Sequence, residues 1–177
     1  LPLAWTALAG AALCMGVGGR APREALMRVD WPLLLFFAGL FVVVAGVGRS
    51  GAADRMHDAI APLLGRDVPV QVVTFSLFSV VASQVVSNVP FVLLAAHWVP
   101  RMADPTTLWL ATALAATLAG NLTVVGSVAN LIVLELAGER GRIGFWRFLR
   151  YGAIVTAATL AISLAVLLAE RRMGMIG

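Results

Sequence analysis

The chain has 177 residues, of which 60% are hydrophobic and 12% charged, with a formal net charge of +4 and a mean hydropathy of +0.93. Soluble domains carry roughly 25% charged residues, so a soluble domain of this length has too little interior to hide so much apolar surface. Every basic residue is an arginine, which excludes a P-loop lysine or a Schiff-base lysine. One cysteine, Cys14, excludes an internal disulfide framework or a cysteine-rich metal site.

The charges avoid long stretches. Residues 1–19, 31–48, 68–100, 105–134 and 151–169 contain no Asp, Glu, Lys or Arg. A helix that crosses a bilayer needs ~20 apolar residues. Three stretches are near that length and two are about half again as long, which predicts an all-α, polytopic transmembrane protein forming one domain over 1–177. The expected elements are spans at 1–19, 31–48 and 151–169, an interrupted run at 68–99 and a second interrupted run at 105–137. Leu1–Gly19 lacks the charged leader of a signal peptide and reads as a helix that begins mid-protein. Trp31 opens the second span as an interfacial anchor. Residues 49–67 are polar, and within them Met56, Ile60, Leu63 and Leu64 recur at helical spacing against Asp54, Arg55 and Asp58. That pattern predicts a short amphipathic helix on the membrane surface, with His57 solvated.

Arginine placement predicts orientation. The loops at 20–30 and 138–150 hold Arg20, Arg23, Arg28, Arg140, Arg142, Arg147 and Arg150, and arginine-rich loops stay cytoplasmic. Such loops orient a membrane protein, and nothing in the pattern points to nucleic acid. With both loops inside, run 68–99 must enter and leave on the outer face. It becomes a re-entrant hairpin with Ser-Gln-Val-Val-Ser-Asn-Val-Pro near its tip.

Irregular backbone at membrane depth survives only when buried in protein or lining a wet cavity, and transporters use such breaks as binding sites. The first break is Ser87-Asn88-Val89-Pro90. Pro90 suits the first turn of a new helix, and Ser87 or Asn88 its N-cap. The second is Gly120-Asn121-Leu122-Thr123 with Gly126-Ser127, where Gly120 suits a C-cap and Ser127 an N-cap. Ser76, Ser79, Ser83 and Ser87 share one helical stripe. Ser76 and Ser79 read as close-packing residues, whereas Ser83 lies one turn before the break. Neutral oxygens of this kind suit a weakly held sodium ion, placed at Ser83, Ser87 and Asn88. Glu135 lies ~12 Å past Ser127 at ~1.5 Å per residue, near the inner interface. The same arithmetic takes His97 to the outer one. With both histidines near water and no aspartate at depth, an intramembrane hydrolase lacks its machinery, and the chain reads as a non-enzyme.

The segments Ser83–Ala95, "SQVVSNVPFVLLA", and Ala119–Ala137, "AGNLTVVGSVANLIVLELA", resemble the ion transporter superfamily, in particular its citrate-transporter-like and arsenite-permease-like group. The span at 29–51 is similar to the helix before the hairpin in those proteins. The resemblance covers most of the chain and implies the C-terminal half of an inverted-repeat transporter. It implies that Ser83, Ser87 and Asn88 at the hairpin tip, with Gly120, Asn121, Thr123, Gly126, Ser127 and Asn130 of the broken helix, bind cation and substrate. Its sodium–dicarboxylate members carry Thr after the Ser-Asn pair, where this chain has Val89, which leans away from a dicarboxylate. The implied function is secondary active transport of an anion such as arsenite or citrate, a symport driven by sodium or protons. A sodium–proton antiporter and a non-transporting membrane subunit are the alternatives. The partners implied are the lipid bilayer of a bacterial inner membrane, a small anion, the N-terminal half of the same transporter and, by homodimerisation, a second copy. No cofactor is implied beyond sodium.

Overall fold

The computed structural model describes residues 3–18, 22–27, 29–138 and 143–176. All regular structure among the described residues is helical, as the apolar runs require: without water, a helix satisfies its own backbone. The expectations on Arg20, Arg28, Glu139, Arg140 and Arg142 fall outside the described residues. Two compact units divide the chain at Leu40 and Phe41. In the first, α1 (Leu3–Val17) is apolar and buries none of its residues. The short α2 (Pro22–Met27) follows, and its end is held by the Trp31 indole N–H donating to the Leu26 carbonyl at 3.1 Å.

α3 covers Trp31–Arg49. In the second unit, the chain turns by 72° at residues 50–51, where Gly51 takes φ 72°, a left-handed conformation that costs glycine little. α4 (Ala52–Leu64) is amphipathic as expected; the face it turns to the protein holds the buried Ala53 and Leu64 and the half-buried His57 and Ile60. Met56 and Leu63 are exposed. At ~100° per residue, positions 53, 57, 60 and 64 form one stripe and 56 and 63 flank it. His57 therefore differs from the solvated expectation. Its side chain is 18% exposed, with Nδ1 3.6 Å from the Asp58 carboxylate.

α5 (Val68–Val86) reverses at Ser87 into α6 (Asn88–Ala95). The reversal is a hairpin, because aromatic rings far apart in sequence meet across it. Phe91 of α6 packs on Phe75 and Phe78 of α5, with centroids 6.2 and 5.9 Å apart, and Trp98 reaches Phe78 at 6.1 Å. At the open end the Ala103 N–H donates to the Gln71 side-chain carbonyl at 3.2 Å. The two arms of run 68–99 therefore fold back on each other.

α7 (Pro105–Ala119) runs beside α5 in the same direction. The α5–α7 packing is the most extensive in the fold, and it is built from small residues. Ser76, Ser79 and Ser83 on α5, and Ala111, Ala115 and Ala119 on α7, are fully buried. Small side chains let two backbones approach closely, the usual basis of helix packing in membranes. After a break, α8 (Val128–Ala137) follows. α9 (Phe145–Arg172) then returns antiparallel to α7 and buries Gly152, Thr156, Leu160, Leu164 and Leu167. α5 and α9 are long and apolar enough to cross a membrane, and α1 and α7 are shorter apolar helices.

One end of the bundle is polar. The buried Trp98 indole N–H donates to the Ala53 carbonyl at 2.8 Å. Asp104 caps α7 by accepting from the Thr107 N–H at 3.1 Å and the Thr107 hydroxyl at 2.8 Å. It also takes the Arg171 guanidinium at 2.7 Å, tying the start of α7 to the end of α9. The Arg101–Asp54 pair is equally short, but both side chains are about half exposed, so solvent screening leaves it little weight. His97 packs on Gly48, where any side chain would strike its ring.

Trp98→Phe removes the donor to Ala53 while keeping a ring in place. It should cost about 1–2 kcal/mol, read as a lower thermal midpoint in detergent. Asp104 is held below the ordinary carboxylate value, chiefly by its bond to Arg171, with burial opposing and the Thr107 bonds assisting. A depressed carboxylate stabilises the fold above its unfolded value, and the gain disappears as pH falls through the folded one. The melting-point gap between wild type and Asp104→Asn should therefore be full at neutral pH and close below about pH 3.8.

Candidate functional site

The hairpin tip carries the one non-glycine residue with positive φ among the described residues, Ser87, at φ 69° and ψ 157°. Essentially only glycine adopts that region at ease, and another residue held there costs about 1–3 kcal/mol. α6 starts with the Phe91 N–H donating to the Ser87 carbonyl at 3.2 Å. The side chain that caps it belongs to Asn88, whose Oδ1 accepts the Val89 N–H at 3.0 Å and the Ser87 hydroxyl at 3.4 Å. Beside the tip, between α6 and α7, lies an open cleft of about 340 Å³. Its polar side chains are Asn88 and Thr117, and Val89, Val92, Leu93, Ala113 and Ala116 form the rest. Ser83 sits a turn earlier in the α5–α7 seam. Its hydroxyl is buried without a hydrogen-bond partner, like that of Ser76, whereas the Ser79 hydroxyl donates to the Phe75 carbonyl at 2.6 Å.

The second break falls where expected. Gly120 closes α7, a short 3-10 turn covers Val124–Gly126, and Ser127 opens α8 by accepting the Ala129 N–H at 3.3 Å. A helix that stops leaves its last carbonyls without intrahelical partners; here the N–H groups of Gly120, Asn121 and Leu122 take the Thr117, Leu118 and Ala119 carbonyls, and side-chain amides add further donors. The Gln84 amide donates to the Ala119 carbonyl at 2.8 Å. The Gln84 carbonyl accepts the Thr123 hydroxyl at 2.7 Å. The Asn130 amide donates to the Gly120 carbonyl at 2.7 Å and the Thr123 carbonyl at 3.3 Å. Gly126 leaves room for the Gln84 oxygen, which a Cβ there would approach to 2.7 Å and push out of the network. From α9, the Thr156 hydroxyl donates to the Leu118 carbonyl at 3.4 Å. Gly152 lets α9 lie directly on the Asn121 and Leu122 carbonyls.

The predicted residues therefore separate into groups. Ser87 and Asn88 share the tip. Gly120, Thr123, Gly126 and Asn130 form one network that Gln84 joins to α5. Ser127 is a cap, and Ser83 lies in the helix seam. Asn121 faces away, into a separate cleft of about 570 Å³ with Arg147, Phe148 and Tyr151. Glu135 lies on α8, and its side chain is outside the described residues. The turn at 121–122 rests on Gly152, ~28 Å along α9 from Arg171 but beside Arg150, so the second break lies near the arginine-bearing start of α9. Gln84, Thr117 and Gly152 were not among the predicted site residues. The available signal for Gln84 was a polar side chain inside an apolar run, a turn before the Ser-Asn pair.

A family model described as citrate transporter matches residues 1–111. An uncharacterized transporter of Mycobacterium tuberculosis is 36% identical over 167 residues, covering 89% of this chain and 39% of the relative. A Dictyostelium discoideum transporter named arsB is 33% identical, covering 93% of this chain and 30% of the relative. The silicon efflux transporter LSI3 of Oryza sativa is 33% identical, covering 94% and 36%. The chain thus spans well under half the length of these relatives. No solved structure matches.

The contact at Gly152 is against backbone, which cannot swing aside. Gly152→Val should destabilise by about 1–3 kcal/mol or more, as overpacking does. Circular dichroism melts should show it, with loss of the monodisperse peak on size exclusion if α9 is displaced.

Proposed function

The chain belongs to the citrate transporter family, and from that premise we propose that it is one half of a secondary active transporter of the inner membrane. The N-terminal half of the same protein completes it, and a sodium or proton gradient drives it. The observation that carries the reading is the hairpin tip, where a non-glycine residue is held in a glycine-only conformation beside a cleft. Strain of this kind persists only where surrounding structure enforces it, and it clusters at ligand-binding positions.

The chemistry of the cleft narrows the cargo. An amide and a hydroxyl, from Asn88 and Thr117, face a mostly apolar wall with no charged side chain. Such a lining hydrogen-bonds a small oxyacid, neutral or singly charged, and offers nothing to neutralise several carboxylates. Arsenite therefore fits this half better than citrate, and the names of the arsB and silicon efflux relatives agree with a small hydroxylated species. A coupling sodium ion is assigned to Ser83, Ser87 and Asn88; what supports it is the Ser83 hydroxyl, buried one turn before the tip without a hydrogen-bond partner. Ser87, Asn88 and Thr117 would hold the substrate.

The test is uptake of radiolabelled arsenite, silicic acid and citrate into proteoliposomes carrying the whole transporter, with and without a sodium gradient. Asn88→Ala should abolish uptake while the melting temperature stays within a few degrees of wild type. Thr117→Val should raise the KM for the transported species about tenfold. Full uptake by Asn88→Ala would remove the tip from the site.

A further inference from the structure

Half-helix C-termini inside membrane transporters commonly face a cation, because their bare carbonyls and the negative end of the helix dipole demand positive charge. α7 ends in that way, with its closing carbonyls turned toward the break. In this chain those acceptors are engaged twice over: the Ala119 carbonyl accepts the Leu122 N–H at 3.0 Å and the Thr123 carbonyl the Gly126 N–H at 3.1 Å, and side-chain amides take their remaining lone pairs and the Gly120 carbonyl. The Gln84 Nε2–H reaches the Ala119 carbonyl at 2.8 Å. The Asn130 Nδ2–H reaches the Gly120 carbonyl at 2.7 Å and the Thr123 carbonyl at 3.3 Å. The Thr123 hydroxyl, the remaining neutral oxygen there, is turned to the Gln84 Oε1 at 2.7 Å. The absence of a Cβ at Gly126 leaves room for that oxygen.

We infer that the side-chain amides of Gln84 and Asn130 stand in for a cation at the second break. Gln84 is the residue that sets this ion specificity. An amide offers the partial positive charge of its N–H groups to the carbonyls at fixed distance, and it needs no ion. The coupling ion of this half is then confined to the hairpin tip, and Thr123 and Gly120 are wall residues that hold no sodium. This inference rests on the transporter reading only for the word coupling. The geometry at Ala119, Thr123 and Gln84 stands without it.

The inference makes a distinctive prediction, because exchanging the amide for a carboxylate should recreate the missing site. In Gln84→Glu a charged carboxylate would still accept the Thr123 hydroxyl but would face the Ala119 carbonyl, an oxygen that repels it until a hard cation bridges the two. When protonated, the same carboxyl is nearly isosteric with the native amide and donates its O–H to Ala119. The charged form gains over the protonated one as pH rises, so the two are compared at alkaline and acid pH.

The experiment compares melting temperatures of the purified whole transporter in sodium chloride and in choline chloride at equal ionic strength. The expected result is a sodium-specific rise of about 3 °C or more beyond wild type in Gln84→Glu at pH 8.5. It should vanish at pH 5, where the variant melts like wild type, and Gln84→Leu should lack it at both pH values. Thr123→Val should keep any wild-type sodium response within about twofold in half-saturating concentration. The inference is overturned if Gln84→Glu gains no sodium response. It is equally overturned if Thr123→Val weakens the native response about tenfold, since a native ion would then use that oxygen. A whole transporter that moves none of arsenite, silicic acid or citrate would defeat the functional reading. It would leave the Gln84→Glu melting result to decide this one.

Discussion

A helix broken at the edge of an apolar bundle frees backbone carbonyls from their intrahelical donors, and most of the polar detail at that end of the fold follows from meeting that demand. α7 stops at Gly120 with its final acceptors turned inward. Gln84 from α5, Asn130 from α8 and Thr156 from α9 each supply a donor. Three helices are thereby tied to one turn. The same demand accounts for Gly126, which leaves room for the Gln84 oxygen, and for Gly152, which lets α9 lie on the turn's own carbonyls.

The two ends of the bundle use different physics. At the polar end, full charges are available, and Asp104 with Arg171 joins α7 to α9. At the broken end the latch consists of neutral amides and hydroxyls. A buried full charge without a close partner is expensive, whereas an amide satisfies a carbonyl and carries no net charge. Between the ends, the seam of serines and alanines on α5 and α7 brings the backbones close. The strained Ser87 is held in place because both arms of the hairpin are anchored, one by the α5–α7 seam and the other by the Phe75, Phe78, Phe91 and Trp98 rings.

Much of this architecture was readable along the chain. The apolar runs marked the helices, and Ser87–Asn88 and Gly120–Ser127 marked the breaks. Ser127 capped α8 as its residue type implied. Position on a helix face was less readable. Met56 and Leu63 read as part of the apolar face of a membrane-surface α4 and are exposed, while Ala53 and the partly buried His57 are turned to the protein, because a membrane protein exposes apolar residues to lipid and hydrophobicity alone does not identify the side packed on protein.

Local chemistry, legible residue by residue, determined which segments are helical, where they stop and which residues start them again. Tertiary structure alone decided which polar groups meet. Asn121 and Asn130 both lie in or just after the second break, yet one faces an arginine-bearing cleft and the other closes the network at Gly120. Gln84 and Thr117 became visible as site residues only when α5 was laid against the end of α7 and α6 against its flank. The reason is physical. Backbone propensity is set by neighbours in sequence, while the partner of a freed carbonyl is set by whichever helix the packing of small residues brings within hydrogen-bonding distance.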